Sequence, residues 1–160
     1  MADVKYAVVT RARMRSESVG VDRIAVKIEK DLENGCIVKV GSLVGGEREV
    51  YSTSVPAADT AVENIAILTS PEVVADERKK NKSDFINPSG IPATADKLYP
   101  GDIFGLTAEG FDGDPVVGSV VELQADYKLK VEAAPTGSST VVGKIVDVYN
   151  NEYGVRVGEE

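Results

Sequence analysis

Punctuation is what most constrains this chain. Short apolar or alternating runs recur about every 8–12 residues, and turn-forming residues separate them, which points to an antiparallel sandwich or barrel. Residues 23–29 read RIAVKIE, with Ile24, Val26 and Ile28 on one face. Asn34 and Gly35 follow as a turn, and residues 36–41 read CIVKVG. This predicts a strand, a turn and a second strand paired as a hairpin. Gly45 and Gly46 mark another turn, residues 47–51 a short strand, and Pro56 keeps its loop from continuing as a central strand. Residues 63–69, ENIAILT, form a short, Ile-rich apolar run that predicts a buried strand.

The second half repeats the pattern. Strands are expected over residues 103–107, over 116–123 with an interruption at Gly118, over 128–132 (KLKVE), over 141–149 and over 153–157. Val142, Ile145, Val146 and Val148 are core candidates. The last two runs, turned by Asn150 and Asn151, are expected as the closing hairpin of a small barrel. No long stretch carries a helical period of 3.6, so helix should be minor. A short helical turn is expected after Ser70 and Pro71, running through residues 75–77. Residues 70–100 otherwise show little regular pattern. They suit either a surface crossover between two halves or an ordered interaction surface.

The fold expectation is therefore mainly β: a small antiparallel β-barrel or sandwich with little helix, preceded by an extended N-terminal arm over residues 1–20. The body runs from 21 to 160, with a possible internal boundary near 83–100. Arg11, Arg13 and Arg15 share one parity while Ala12 and Met14 take the other, a period of two that fits an extended segment. So polar a segment belongs at an edge, or against a partner.

Composition narrows the chemistry. The 160 residues include no histidine, which excludes any histidine-based triad, zinc site or general base. The single cysteine, Cys36, excludes an intramolecular disulfide and reads as a small buried hydrophobe. Asp112, Gly113 and Asp114 resemble a piece of a calcium loop but lack its remaining spaced oxygens, so they read as a turn. The glycine-rich residues 41–46 lack a phosphate-loop pattern. Ser52, Ser54 and Ser138 have no histidine to activate them. No apolar run is long enough to span a membrane, and the first residues lack a signal-peptide pattern, which predicts a cytosol-like site of synthesis. The expectation is a protein that binds rather than catalyses, with no catalytic residues, metal or cofactor.

Charge is uneven. Residues 83–160 hold 13 acids and 5 bases, whereas residues 1–82 hold 13 of each, for a net charge of −8. Acidity argues against nucleic-acid binding, which needs clustered cations. The bases cluster in Lys5, Arg11, Arg13 and Arg15 and in Arg78, Lys79, Lys80 and Lys82. These residues, with Tyr6, are the candidate contacts with an acidic protein surface. The alternative is that both clusters are merely solvated.

Several segments, in order, carry a family likeness: residues 31–35 (DLENG) with 38–41 (VKVG), 46–51 (GEREVY), 70–73 (SPEV), 77–81 (ERKKN) and 98–104 (LYPGDIF). Over residues 31–157 the chain resembles the head decoration, or cement, proteins of tailed bacteriophages. The resemblance implies a β-rich structural protein that binds the outside of an assembled head and stabilises it. Its partner would be the major capsid protein, it would form a homo-oligomer with a trimer favoured, and it would reside on the capsid exterior of the virion. It further implies an N-terminal arm that adds to capsid strands; here the arm departs in being Arg-rich and largely outside the matched residues. Two other readings stand beside it. One is a different virion part, such as a head–tail connector or tail subunit. The other is a β-barrel that binds a ligand or glycan in a pocket lined by Tyr51, Tyr99, Tyr127, Tyr149 or Tyr153.

Overall fold

The computed structural model describes residues 6–14, 23–73 and 81–158. Alternating β-branched residues fold as strands because such side chains pack well on a pleated surface. The order is β1 (Val9–Arg13), β2 (Arg23–Lys27), β3 (Ile37–Leu43), β4 (Val50–Ser54), β5 (Ile65–Leu68), β6 (Ala93–Lys97), β7 (Ile103–Thr107), β8 (Phe111–Asp112), β9 (Val120–Gln124), β10 (Asp126–Glu132), β11 (Val141–Tyr149) and β12 (Glu152–Val157). Helix among the described residues is limited to three single 3-10 turns. The protein is mainly β, as expected.

The strands form two units. Strands β2-β4-β3-β5-β6 close into a barrel, and β1-β7-β12-β11-β9-β10-β8 form a seven-stranded sheet. The change of unit falls between Lys97 and Ile103, while β1 lies in the sheet ahead of the whole barrel. Most pairings are antiparallel; β2 with β4 and β8 with β10 are parallel.

Strand β5 explains how the units join. All four of its residues are buried. Ala66 and Leu68 point into the barrel with Val26, Ile28, Cys36 and Val38. Ile65 and Ile67 point the other way and pack with Phe104, Leu106, Leu123, Leu129 and Ile145 of the sheet. A wall shared by two cores must be apolar on both faces, which accounts for the continuous ENIAILT run.

Several expectations are corrected. The hairpin of residues 23–29 with 36–41 does not form: β2 pairs with β4 and β6, and β3 with β4 and β5. Asn34 and Gly35 do make a turn, closed by the Cys36 N–H on the Glu33 carbonyl at 3.4 Å. It turns the chain across the barrel's end rather than back along β2. Gly35 sits at φ +90°, and a Cβ there would collide with Leu106 Cδ1. The expected strand over 47–51 is shifted, since β4 begins at Val50. Residues 116–119 form a turn, Ser119 N–H to Val116 carbonyl at 3.0 Å, so β9 starts only at Val120. Residues 93–97, within the stretch where little regular structure was expected, are strand β6, which closes the barrel. The β11–β12 hairpin forms, with Asn150 and Asn151 at φ 49° and 61°, the left-handed pair a tight hairpin needs. It lies in the middle of the sheet and does not close a barrel. Val142 and Ile145 are core residues, whereas Val148 is 48% exposed, beyond a bulge between Ile145 and Asp147 near the sheet's end. The expected helical turn is absent over residues 70–73, and the rest of it lies outside the described residues.

Candidate functional site

The two cationic segments singled out in the sequence meet. The Tyr6 N–H donates to the Ser83 carbonyl at 2.8 Å, which sets the start of the described chain beside Lys82. Lys5, Arg15, Arg78, Lys79 and Lys80 lie outside the described residues. The expected extended conformation is present, and over residues 6–14 its partner is the protein's own body. Strand β1 pairs with β7 at the sheet's edge. Ala7 and Met14 flank it as buried residues. The Ala7 N–H donates to Glu33 Oε2 at 2.7 Å, and Lys128 Nζ lies 3.2 Å from Glu33 Oε1.

The shared parity of Arg11 and Arg13 does not put them on one face. Thr10 pairs with Gly105 but Arg13 with Ile103, so β1 carries one extra residue over this span. Such a bulge reverses the side on which later residues project. Arg11 turns towards the barrel. Its Nε donates to Asp96 Oδ2 at 2.5 Å and its Nη2 to Oδ1 at 3.1 Å, while Thr69 Oγ1 donates to Oδ2 at 2.6 Å. Asp96 is fully buried, so this forked pair joins the sheet's first strand to the barrel's last across a low-dielectric junction. Arg13 stays on the outer face of the sheet. Its two terminal nitrogens hold the Asp147 carboxylate at 2.7 and 3.1 Å, both side chains about half exposed. That pairing raises the Arg13 pKa and lowers that of Asp147, chiefly through the hydrogen bond between them. The pair lies flat over Gly154, where a Cβ would strike Asp147 Oδ1. Two of the expected partner-facing arginines are thus engaged within the chain.

Arg11 and Lys82 also line one cleft of about 270 Å³, between β1 and residues 69–72. Arg23 and Glu72 complete its charged wall. Sequence reading missed Arg23 and Asp96. Neither sits in a charge cluster, and Asp96 lies in the ATADK run, where no apolar stripe announces a strand.

The other candidates separate. Tyr127, Tyr51 and Tyr99 line three different hollows, Tyr149 is exposed, and Tyr153 packs edge-on against Phe111 at 6.1 Å. They do not converge on one pocket. Cys36 is buried, and loss of water pushes its thiol pKa up to about 12, leaving it protonated and a poor nucleophile at neutral pH. Ser52 spends its hydroxyl on the Ser42 carbonyl, and Asp112 accepts from the Gln124 amide. Among the described residues no three potential metal-binding side chains come together. What the arrangement offers is charged surface on a rigid β framework.

No known family model matches the chain, and a comparison with curated proteins finds no match.

Proposed function

We propose that this protein is a structural component of a phage virion that binds the outer surface of the head and stabilises the capsid lattice, with the major capsid protein as its partner. The observation that carries the reading is the Tyr6–Ser83 hydrogen bond, which joins the described ends of the two segments that the sequence marks as cationic in a chain of net charge −8. Exposed cations such as Lys82 on an acidic protein would orient it on an oppositely charged surface and speed encounter. The resemblance over residues 31–157 supplies the identity of that surface. A rigid pair of β units suits a cement, which works by contacting several subunits at once so that weak contacts multiply. A homo-oligomer, with a trimer favoured, and a place on the capsid exterior belong to the same proposal.

The test is biochemical. Purified heads should carry this protein at a fixed stoichiometry and lose mechanical or thermal stability when it is stripped. Heads of the producing phage that contain none of it would overturn the proposal. Electron microscopy of labelled particles separates a head surface from a connector or tail position.

A further inference from the structure

The cleft described above adjoins a second hollow on the barrel. Arg23 lines both that cleft and a second groove of about 620 Å³ on the barrel's outer wall, which also takes in Arg48, Glu49, Tyr51 and Thr94. The division between them is thin. The Thr69 N–H donates to the Thr94 carbonyl at 2.9 Å, and Arg23 Nη2 reaches the Thr69 carbonyl at 2.9 Å. The two hollows therefore adjoin at Arg23, with Lys82 lining the first and Arg48 the second.

Its charges are available. Arg48 and Lys82 are exposed, and neither has an ion-pair partner among the described residues. Glu72 and Glu49 are interspersed with them. Strand β1 walls the first cleft, and its outer edge carries no further strand among the described residues. That edge offers main-chain N–H and C=O groups, which another polypeptide matches and a phosphate backbone does not. An arginine fork and an ammonium group suit carboxylates.

We propose that these two adjoining hollows bind an extended, acid-rich polypeptide segment of a partner protein, laid over the surface from Lys82 across Arg23 to Arg48. The proposal does not require the partner to be a phage head.

A fluorescently labelled glutamate-rich peptide, titrated against the full chain at low salt, tests it. Binding should be saturable and weaken as salt rises. Arg48→Gln and Lys82→Gln should each weaken it about two- to fivefold, as expected for exposed charge pairs. Lys144→Gln, away on the sheet, should leave it unchanged. Amide shift mapping on the unaltered protein should place the peptide along residues 9–12, 23–25, 48–51, 69–72, 82 and 94. No binding at low salt, equal binding by the double variant, or shifts elsewhere would overturn the assignment. Tighter binding of a single-stranded oligonucleotide would overturn the choice of polypeptide. A head-binding assay is separate, so failure of one leaves the other readable.

Discussion

The barrel and the seven-stranded sheet fill their interiors with side chains of different size. Inside the barrel the buried residues include Ala66, Ala93, Ala95, Cys36, Val26 and Val38. The sheet's core holds Phe104, Phe111, Leu106, Leu123, Leu129 and Ile145. Five strands close on a narrow lumen in which Ala, Cys and Val sit beside Ile28, Leu32 and Leu68 and no aromatic ring is fully buried, whereas the sheet laid over the barrel wall also takes Phe104 and Phe111. The polar groups divide in the same way. Asn34, Asn87, Thr69, Ser70 and Asp96 are all buried around the barrel. Asn34 donates to the Ser70 carbonyl at 2.9 Å and accepts from Ser70 N–H and Asn87 Nδ2 at 3.1 and 3.0 Å. The sheet buries Glu122, held by the Thr136 N–H and hydroxyl at 2.8 and 2.7 Å. A lumen with three alanines and no buried ring offers less apolar area, so the barrel depends more on satisfied hydrogen bonds. The sheet depends more on volume.

Four substitutions probe that contrast. Phe104→Ala should cost about 3–5 kcal/mol, because a fully buried ring leaves a cavity. Urea unfolding measures it, and a loss below about 1 kcal/mol would remove the claim that the sheet rests on volume. Arg11→Ala leaves the buried Asp96 carboxylate with the Thr69 hydroxyl and no forked cation, and should cost about 3 kcal/mol. If the loss is small, β1 does not tie the units together. Ala95→Leu overfills the lumen and should cost about 1–3 kcal/mol. A neutral result would mean the barrel is looser than its residue sizes imply.

Asp147→Asn should have the smallest effect, under about 1 kcal/mol, since the Arg13 pair is half exposed. Its pH dependence has a definite sign. Folding lowers the Asp147 pKa, so the pair's contribution is present above the unfolded carboxylate value and is lost as pH falls through the lowered, folded one. The Tm difference between variant and parent should therefore shrink towards acid pH. A difference that grows instead would contradict the ion-pair account.

Much of the strand pattern was legible in the sequence, the division into barrel and sheet only as a possible boundary near 83–100, and the misses have physical causes. ENIAILT announced a buried strand because a wall with two cores needs apolar residues in every position. KLKVE and the Asn150, Asn151 turn were visible for similar reasons. Strand β6 was not, because a lumen lined with Ala93 and Ala95 uses residues of low strand propensity. The false hairpin at Asn34 and Gly35 arose because local turn chemistry is silent about which strand the chain joins next. At the candidate site the cationic clusters were legible as composition. Their separation onto two faces was not, since a single extra residue in β1 moves Arg13 away from Arg11 without altering the alternation of letters. Arg23 and Arg48 stand alone in the sequence and come into line only through the closed barrel.

The position of β1 bears on how the molecule is built as it leaves the ribosome. Val9 finds Leu106 as its neighbour, with the entire barrel between them along the chain. Translation delivers β1 before any other described strand, yet its docking place is not made until β7 emerges, after residues 23–97 have had time to close on themselves. The first described strand synthesised is thus among the last placed, and it seals the junction between barrel and sheet.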